Sequence, residues 1–331
     1  MTLADNFKNY LINGQSVDAL PRLEMMPYNE ATVARWRAEG LPDSVQTLAQ
    51  FHDYFGLTRL DFFFVWPDVD GAGCREKITS PAEFYAVKEQ LYDLEKVRRR
   101  MNDYRRALDE INSVDGIMWI PLHGFFWHPR DLFGVAEHMM MFYDEPELMH
   151  DINKTLLEFN IGAMEIIYET GVPSIVCVSE DMAYRSGSMI SKDMFDMFMM
   201  PYHQTLLAEI KKEFCVAALD SDGEISDVTR WFSDVGYDCI NPLERQTGMD
   251  LMTLRENNPD IAFLGGYNKL VMSKGPAAID AEFESLIPLF EKGKFIPAMD
   301  HQTPPEASLE NYRHYLKASE EFFRKMKVSP A

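Results

Sequence analysis

The chain has 331 residues, 46% of them apolar, which suits either one large barrel or two ordinary domains. Its 32 Lys and Arg face 53 Asp and Glu, and the resulting net charge of −21 argues against a nucleic-acid partner, because phosphate binding needs a basic surface. No apolar run reaches the roughly 18 residues of a membrane span, so no membrane association is expected.

The first ~110 residues differ from the rest. The N-terminal "MTLADNFKNYLING" has no basic stretch followed by an apolar one, so no secretory signal is evident. "ATVARWRAEGLP" reads as a short helix stopped by Gly40 and Pro42. "RLDFFFVWPDVD" is a strand candidate followed by a turn, and a long helix is expected from about Pro81 to Ile111. Within that helix "EKVRRRMNDYRR" is the one basic concentration, and it reads as a solvated face interleaved with acids.

From Gly116 onward strands and helices alternate. The strand candidates are "GIMWIPLHG", "PSIVCVSED", "CVAALDSDG", "CINPLE", "IAFLGGYN" and "FIPAMDH". Helical stretches separate them, among them "LFGVAEHMMMF", "PELMHDINKTLLEFNIGAMEIIYETG" and "SKDMFDMFMMPYHQTLLAEIKKE". Brief apolar strands covered by helices indicate a parallel sheet. With no GxGxxG after a first strand, a (β/α)8 TIM barrel is expected rather than a dinucleotide-binding sheet. One domain over residues 1–331 is expected, with residues 1–50 as an N-terminal helical extension. Four scattered cysteines (Cys74, Cys177, Cys215, Cys239) show no CxxC spacing, so reduced thiols and a cytoplasmic location are expected.

Successive strands stop in polar groups: Glu180-Asp181, Asp220 and Asp222, Glu244, Tyr267-Asn268, and Asp300-His301. In a barrel those ends converge on one mouth. Acids gathered there must share protons, accept hydrogen bonds from neutral donors, or bind a cation. Asp after a strand is also a common helix cap or turn former, and Asp222-Gly223 is a turn pair by type. Glu180, Asp220 and Asp300 come directly after core residues and fit a cap less well. The segment "PLHGFFWHPRDLFG" adds His123 and His128 flanking Phe125, Phe126 and Trp127, with Arg130 beyond, as in a small-molecule pocket. Plain packing of those aromatics, with Arg130 paired to Asp131, is the equal alternative.

The runs "SEDMAYRSGSMISKDMF", "DSDGEI", "INPLE", "GGYNK" and "IPAMDHQTPPEASLENYRHY" resemble the uroporphyrinogen decarboxylase superfamily over roughly residues 115 to 325. The resemblance implies a (β/α)8 barrel and one of two activities. Decarboxylating members carry an RQAGRY-like motif; the nearest stretch here, "PRLEMMPY", lacks the glycine and the paired arginines. The other activity is methyl transfer to or from a corrinoid protein, with zinc as Lewis acid. Thiol-using members carry a His-x-Cys pair and a later Cys, where this chain has Asp220-x-Asp222 and Asp300-His301.

The resemblance therefore implies a corrinoid-dependent methyltransferase of the demethylating kind, acting on a small methoxylated or methylated substrate such as an aryl methyl ether. Glu180, Asp220, Asp222 and His301 are the expected ligands for zinc or another divalent metal. Glu180, Asp220, His301 and Tyr184 are expected catalytic groups, and Glu244 and Asp300 are expected to hold and orient them. His123, Phe125, Phe126, Trp127, His128, Arg130 and Asn268 are expected at the substrate. The expected partner is a protein carrying the corrinoid, and a homodimer is one option. The alternatives are a cofactor-free decarboxylase of a porphyrinogen or smaller carboxylate, and a barrel that binds a tetrapyrrole or corrinoid without turnover.

Overall fold

The computed structural model describes residues 1–26, 28–67, 78 and 80–330. The turn expected after Pro67, and Cys74, lie outside the described residues. Seven strands form one parallel sheet: β1 (Leu60–Phe62), β2 (Ile117–His123), β3 (Ile175–Ser179), β4 (Val216–Asp220), β5 (Cys239–Asn241), β6 (Ala262–Tyr267) and β7 (Phe295–Met299). They lie in chain order across the sheet, each paired in parallel with the next. All seven residues of β2 and all five of β3 are buried, which is why these strands read as continuous apolar runs rather than alternating ones.

The closed eight-stranded barrel needs correction. Among the described residues the sheet is open, with no ladder joining β7 to β1. Residues near Arg22 run beside the β1 edge: the Arg22 carbonyl accepts from the Thr58 N–H at 3.1 Å, and the Arg22 N–H donates to the Thr58 hydroxyl at 3.0 Å. Glu24 is tied to the C-terminal helix by the Tyr315 hydroxyl at 2.8 Å. This stretch forms no ladder of its own with the sheet; its one strand, Ala19–Leu20, pairs instead with Ser329–Pro330 near the C-terminus.

Two helices expected to be continuous are broken. The stretch from Pro81 to Ser113 is three helices, Pro81–Leu91, Leu94–Arg99 and Met101–Ser113. Asp93 caps the second by accepting from the Glu95 N–H, so an N-cap residue restarts the helix there. Pro201 divides the other into Lys192–Phe198 and Met200–Ile210, since proline has no N–H and sits best in a first turn. Among the described residues, no helix is long and apolar enough to cross a membrane.

Register brings the chemistry to one end of the sheet. His123 pairs with Ser179, Ser179 with Asp220, and Asp220 with Asn241, across four neighbouring strands. The strand ends are therefore level, and the residues just beyond them share one rim.

Candidate active site

Three side chains from three strand ends meet at this rim. Asp222, Glu244 and His301 each offer a ligand atom, and those atoms lie within 4.8 Å of one another. His301 Nε2 is 3.6 Å from the Asp222 carboxylate. Glu244 is fixed from several sides: Lys269 Nζ lies 3.0 Å from Oε1, Gln246 donates to the same oxygen at 2.8 Å, and the Gly223 N–H donates to Oε2 at 3.2 Å. Gly223 sits at φ +91°, and a Cβ there would come within 2.7 Å of the Ala183 carbonyl oxygen, so the turn requires glycine.

Burial and crowding push these groups toward their neutral forms. Desolvation, with Asp181 and Glu244 nearby, pushes the Asp222 carboxyl up to about 7. Asp220 is pushed well above the carboxylate range, first by burial and then by Asp181 and Asp222. Asp300 rises to about 6 through burial, although the backbone N–H groups of Arg245 and Lys269 donate to it at 2.9 and 3.1 Å. Burial and the Lys269 charge lower His301, which leaves its imidazole neutral and able to ligate.

The donor set fits a divalent ion. One neutral imidazole and two carboxylates is a set suited to zinc or a harder cation. Asp222 Oδ1 is buried with no hydrogen-bond partner, a state that costs free energy unless something else meets it.

Below the rim lies a cavity of about 400 Å³ inside the curve of the sheet. Phe62, Trp66, Trp119 and Trp127 line it, together with Met25 and Cys177. Asp220 and Asn241 form its polar end. Asp220 Oδ1 is also buried without a partner. A second hollow of about 450 Å³ opens on the outer side of the cluster, against Tyr184, Arg185, Asp222 and Glu244.

The other expected residues go elsewhere. Glu180 is fully buried and turned away from the cluster. Its carboxylate accepts from the backbone N–H groups of Phe125, Phe126 and Trp127 at 2.7, 2.6 and 3.3 Å, and His203 Nε2 lies 2.8 Å away. It caps the helix Trp127–Phe133, which has no cap of its own. Phe125 packs on His203, and Phe126 on His138, both away from the cavity. His123 and His128 face each other at 3.3 Å between their Nδ1 atoms. Burial pushes His123 down to about 3 and His128 well below its ordinary value, so both are neutral. Arg130 pairs with Asp181 rather than Asp131. Asn268 caps its own turn by accepting from the Leu270 N–H. Tyr184 is 68% exposed on a small hairpin at the outer hollow.

Sequence reasoning missed Lys269, the cation of the cluster, although it directly follows Asn268 in "GGYNK". It also treated Glu244 as a support, whereas Glu244 is one of the three converging donors.

The uroporphyrinogen decarboxylase (URO-D) family model matches residues 130–322. No curated protein matches the chain. A methyltransferase from Methanosarcina mazei is similar in structure, with a TM-score of 0.69 and 17% identity over 98% of this chain and 99% of that one; at this identity the likeness concerns the fold. A protein from Listeria monocytogenes, provisionally named a vitamin-B12 independent methionine synthase, aligns over 94% of this chain and 99% of its own. Its TM-score of 0.47 at 11% identity carries no argument. With the matched segment spanning more than half of the 331 residues, the chain belongs to the uroporphyrinogen decarboxylase family.

Proposed function

We propose that this protein is an enzyme that removes a methyl group from a small methoxylated or methylated substrate and passes it to a corrinoid carried by a separate protein. The observation that carries this reading is the Asp222, Glu244 and His301 trio at the rim of an apolar, aromatic-lined cavity. The similar structure from Methanosarcina mazei is named a methyltransferase, which supports the reaction class. The acid-rich rim argues against a porphyrinogen bearing several carboxylates, which would need cationic clamps.

Asp222, Glu244 and His301 would hold the metal, with Lys269 and Gln246 keeping Glu244 in place. A divalent ion there would act as Lewis acid toward the heteroatom that loses the methyl group. Asp220, kept protonated by burial and its acidic neighbours, would hold a proton for a leaving oxygen. The cavity rings would exclude water and orient the substrate.

One observation favours a second reading. Asp220, buried at the end of an apolar cavity and pushed well above the carboxylate range by burial and its acidic neighbours, also suits a decarboxylase, which must protonate a carbanion. The test is to incubate the protein with methyl ethers and methylamines plus reduced free corrinoid, and separately with a panel of carboxylates. Methylated corrinoid supports methyl transfer; release of carbon dioxide with no methylation supports decarboxylation instead. Ligand-induced stabilisation with no product from either arm would leave binding without turnover.

A further inference from the structure

We propose that His123 donates a hydrogen bond from its Nε2–H to an acceptor oxygen of a ligand in the aromatic cavity. His128 and Tyr92 are the positioning residues that set its tautomer. This names a substrate class for the methyl-transfer reading and rests on that reading for the reaction, though not for the tautomer or for binding.

Register and strand period put His123 on the cavity wall. It lies level with Ser179, Asp220 and Asn241 across four neighbouring strands, and those three line the cavity. Trp119 and Pro121 of its own strand line it too. Alternate residues of a strand share a face, so His123 belongs to that face. Trp66 and Trp127, both lining rings, pack on its imidazole with centroids 4.6 and 5.8 Å away.

A hydrogen-bonded line runs back from this ring. His123 Nδ1 is 3.3 Å from His128 Nδ1, and His128 Nε2 is 2.7 Å from the hydroxyl of the half-buried Tyr92. Burial keeps both imidazoles neutral, so each has one N–H and one bare nitrogen. Of phenol and imidazole, the phenol is the better donor and the bare nitrogen the better acceptor, and a separation of 2.7 Å suits a hydroxyl donor. Tyr92 therefore donates to His128 Nε2, which places the His128 proton on Nδ1. That N–H donates to His123 Nδ1, which leaves the His123 proton on Nε2. Among the described residues, His123 Nε2 has no hydrogen-bond partner.

A buried N–H left without an acceptor costs free energy, and a ligand oxygen removes that cost. A hydrocarbon of the same shape would fill the space but leave the N–H unmet. In the methyl-transfer reading, the same bond shares the negative charge that gathers on the oxygen as its methyl group leaves.

The test begins with the natural protein. Nitrogen NMR of the histidine-labelled chain separates protonated from bare ring nitrogens. It should find the His123 proton on Nε2 and the His128 proton on Nδ1. Tyr92→Phe removes the phenol donor and should leave both rings as tautomer mixtures. Calorimetry then compares methoxybenzene with ethylbenzene, a near isostere that lacks the oxygen. His123→Phe should lower the ratio of methoxybenzene to ethylbenzene affinity by about fivefold, the worth of one hydrogen bond. Four results would each overturn the proposal: a His123 proton on Nδ1, tautomers unmoved in Tyr92→Phe, an unchanged affinity ratio in His123→Phe, or no methoxybenzene binding at millimolar concentration. The two readings separate cleanly. The expected tautomers and affinity ratio without methylation of reduced corrinoid would sink methyl transfer alone. Demethylation of ethers by a chain whose His123 carries its proton on Nδ1 would sink this proposal alone.

Discussion

Lys269 Nζ lies 3.0 Å from Glu244 Oε1, with both side chains only 10% exposed. A pair so little hydrated is costly to split, because the survivor remains as a buried, uncompensated charge. Lys269→Met should therefore destabilise the fold by about 3 kcal/mol. The double variant Lys269→Met with Glu244→Gln should recover part of that loss. Urea unfolding of the three proteins checks it; additive losses would mean that the two groups act independently.

Glu180 and Gly124 make a second tight pair. A Cβ on Gly124 would fall 2.1 Å from the Glu180 carboxyl carbon, so Gly124→Ala must expel the carboxylate from its three backbone donors. A loss of about 3 kcal/mol or more is expected. Glu180→Gln keeps the shape but weakens the cap and should cost roughly 1–3 kcal/mol. Thermal unfolding decides the matter. A Glu180→Gln protein of unchanged stability but abolished activity would return Glu180 to the chemistry.

Stability should fall with rising pH through Glu24. This acid is buried, and desolvation pushes it from its ordinary 4.5 up to about 8 despite the Tyr315 hydroxyl bonded to it. Between those values the folded state holds a proton that the unfolded state has released. The contribution is therefore fully present below about 4.5 and is lost as pH climbs to about 8. Glu24→Gln cannot titrate and should flatten the decline by a few kcal/mol, on the order of what such a shift implies. Denaturant midpoints from pH 5 to pH 8.5 measure it; identical slopes in the two proteins would contradict the assignment.

The parallel sheet and its acidic rim were legible because both arise from simple patterns. Buried strands are short apolar runs, and a level register puts their C-terminal residues together. The sequence could not say which way an acid turns once its strand has ended. Asp222 turns into the rim, whereas Glu180 turns back to cap a helix. The signal was present in "HGFFW", a helix start with no Ser, Thr, Asp or Asn to cap it, which demands an acceptor from elsewhere in the chain. Lys269 was hidden for a different reason, because a lysine beside a strand end is usually solvated and only the fold brings Glu244 to it. Closure of the barrel was illegible too, since alternation fixes neither the strand number nor which segment runs beside an edge.

The most direct test of the central claim is the zinc bound per chain after equilibration and dialysis, measured in the natural protein and in Asp222→Asn and His301→Ala. About one ion per natural chain is expected, held by these three donors, with binding lost or greatly weakened in each variant while both stay folded. A natural protein that retains no zinc, or variants that retain as much as it does, would contradict the assignment of Asp222, Glu244 and His301 as a metal centre.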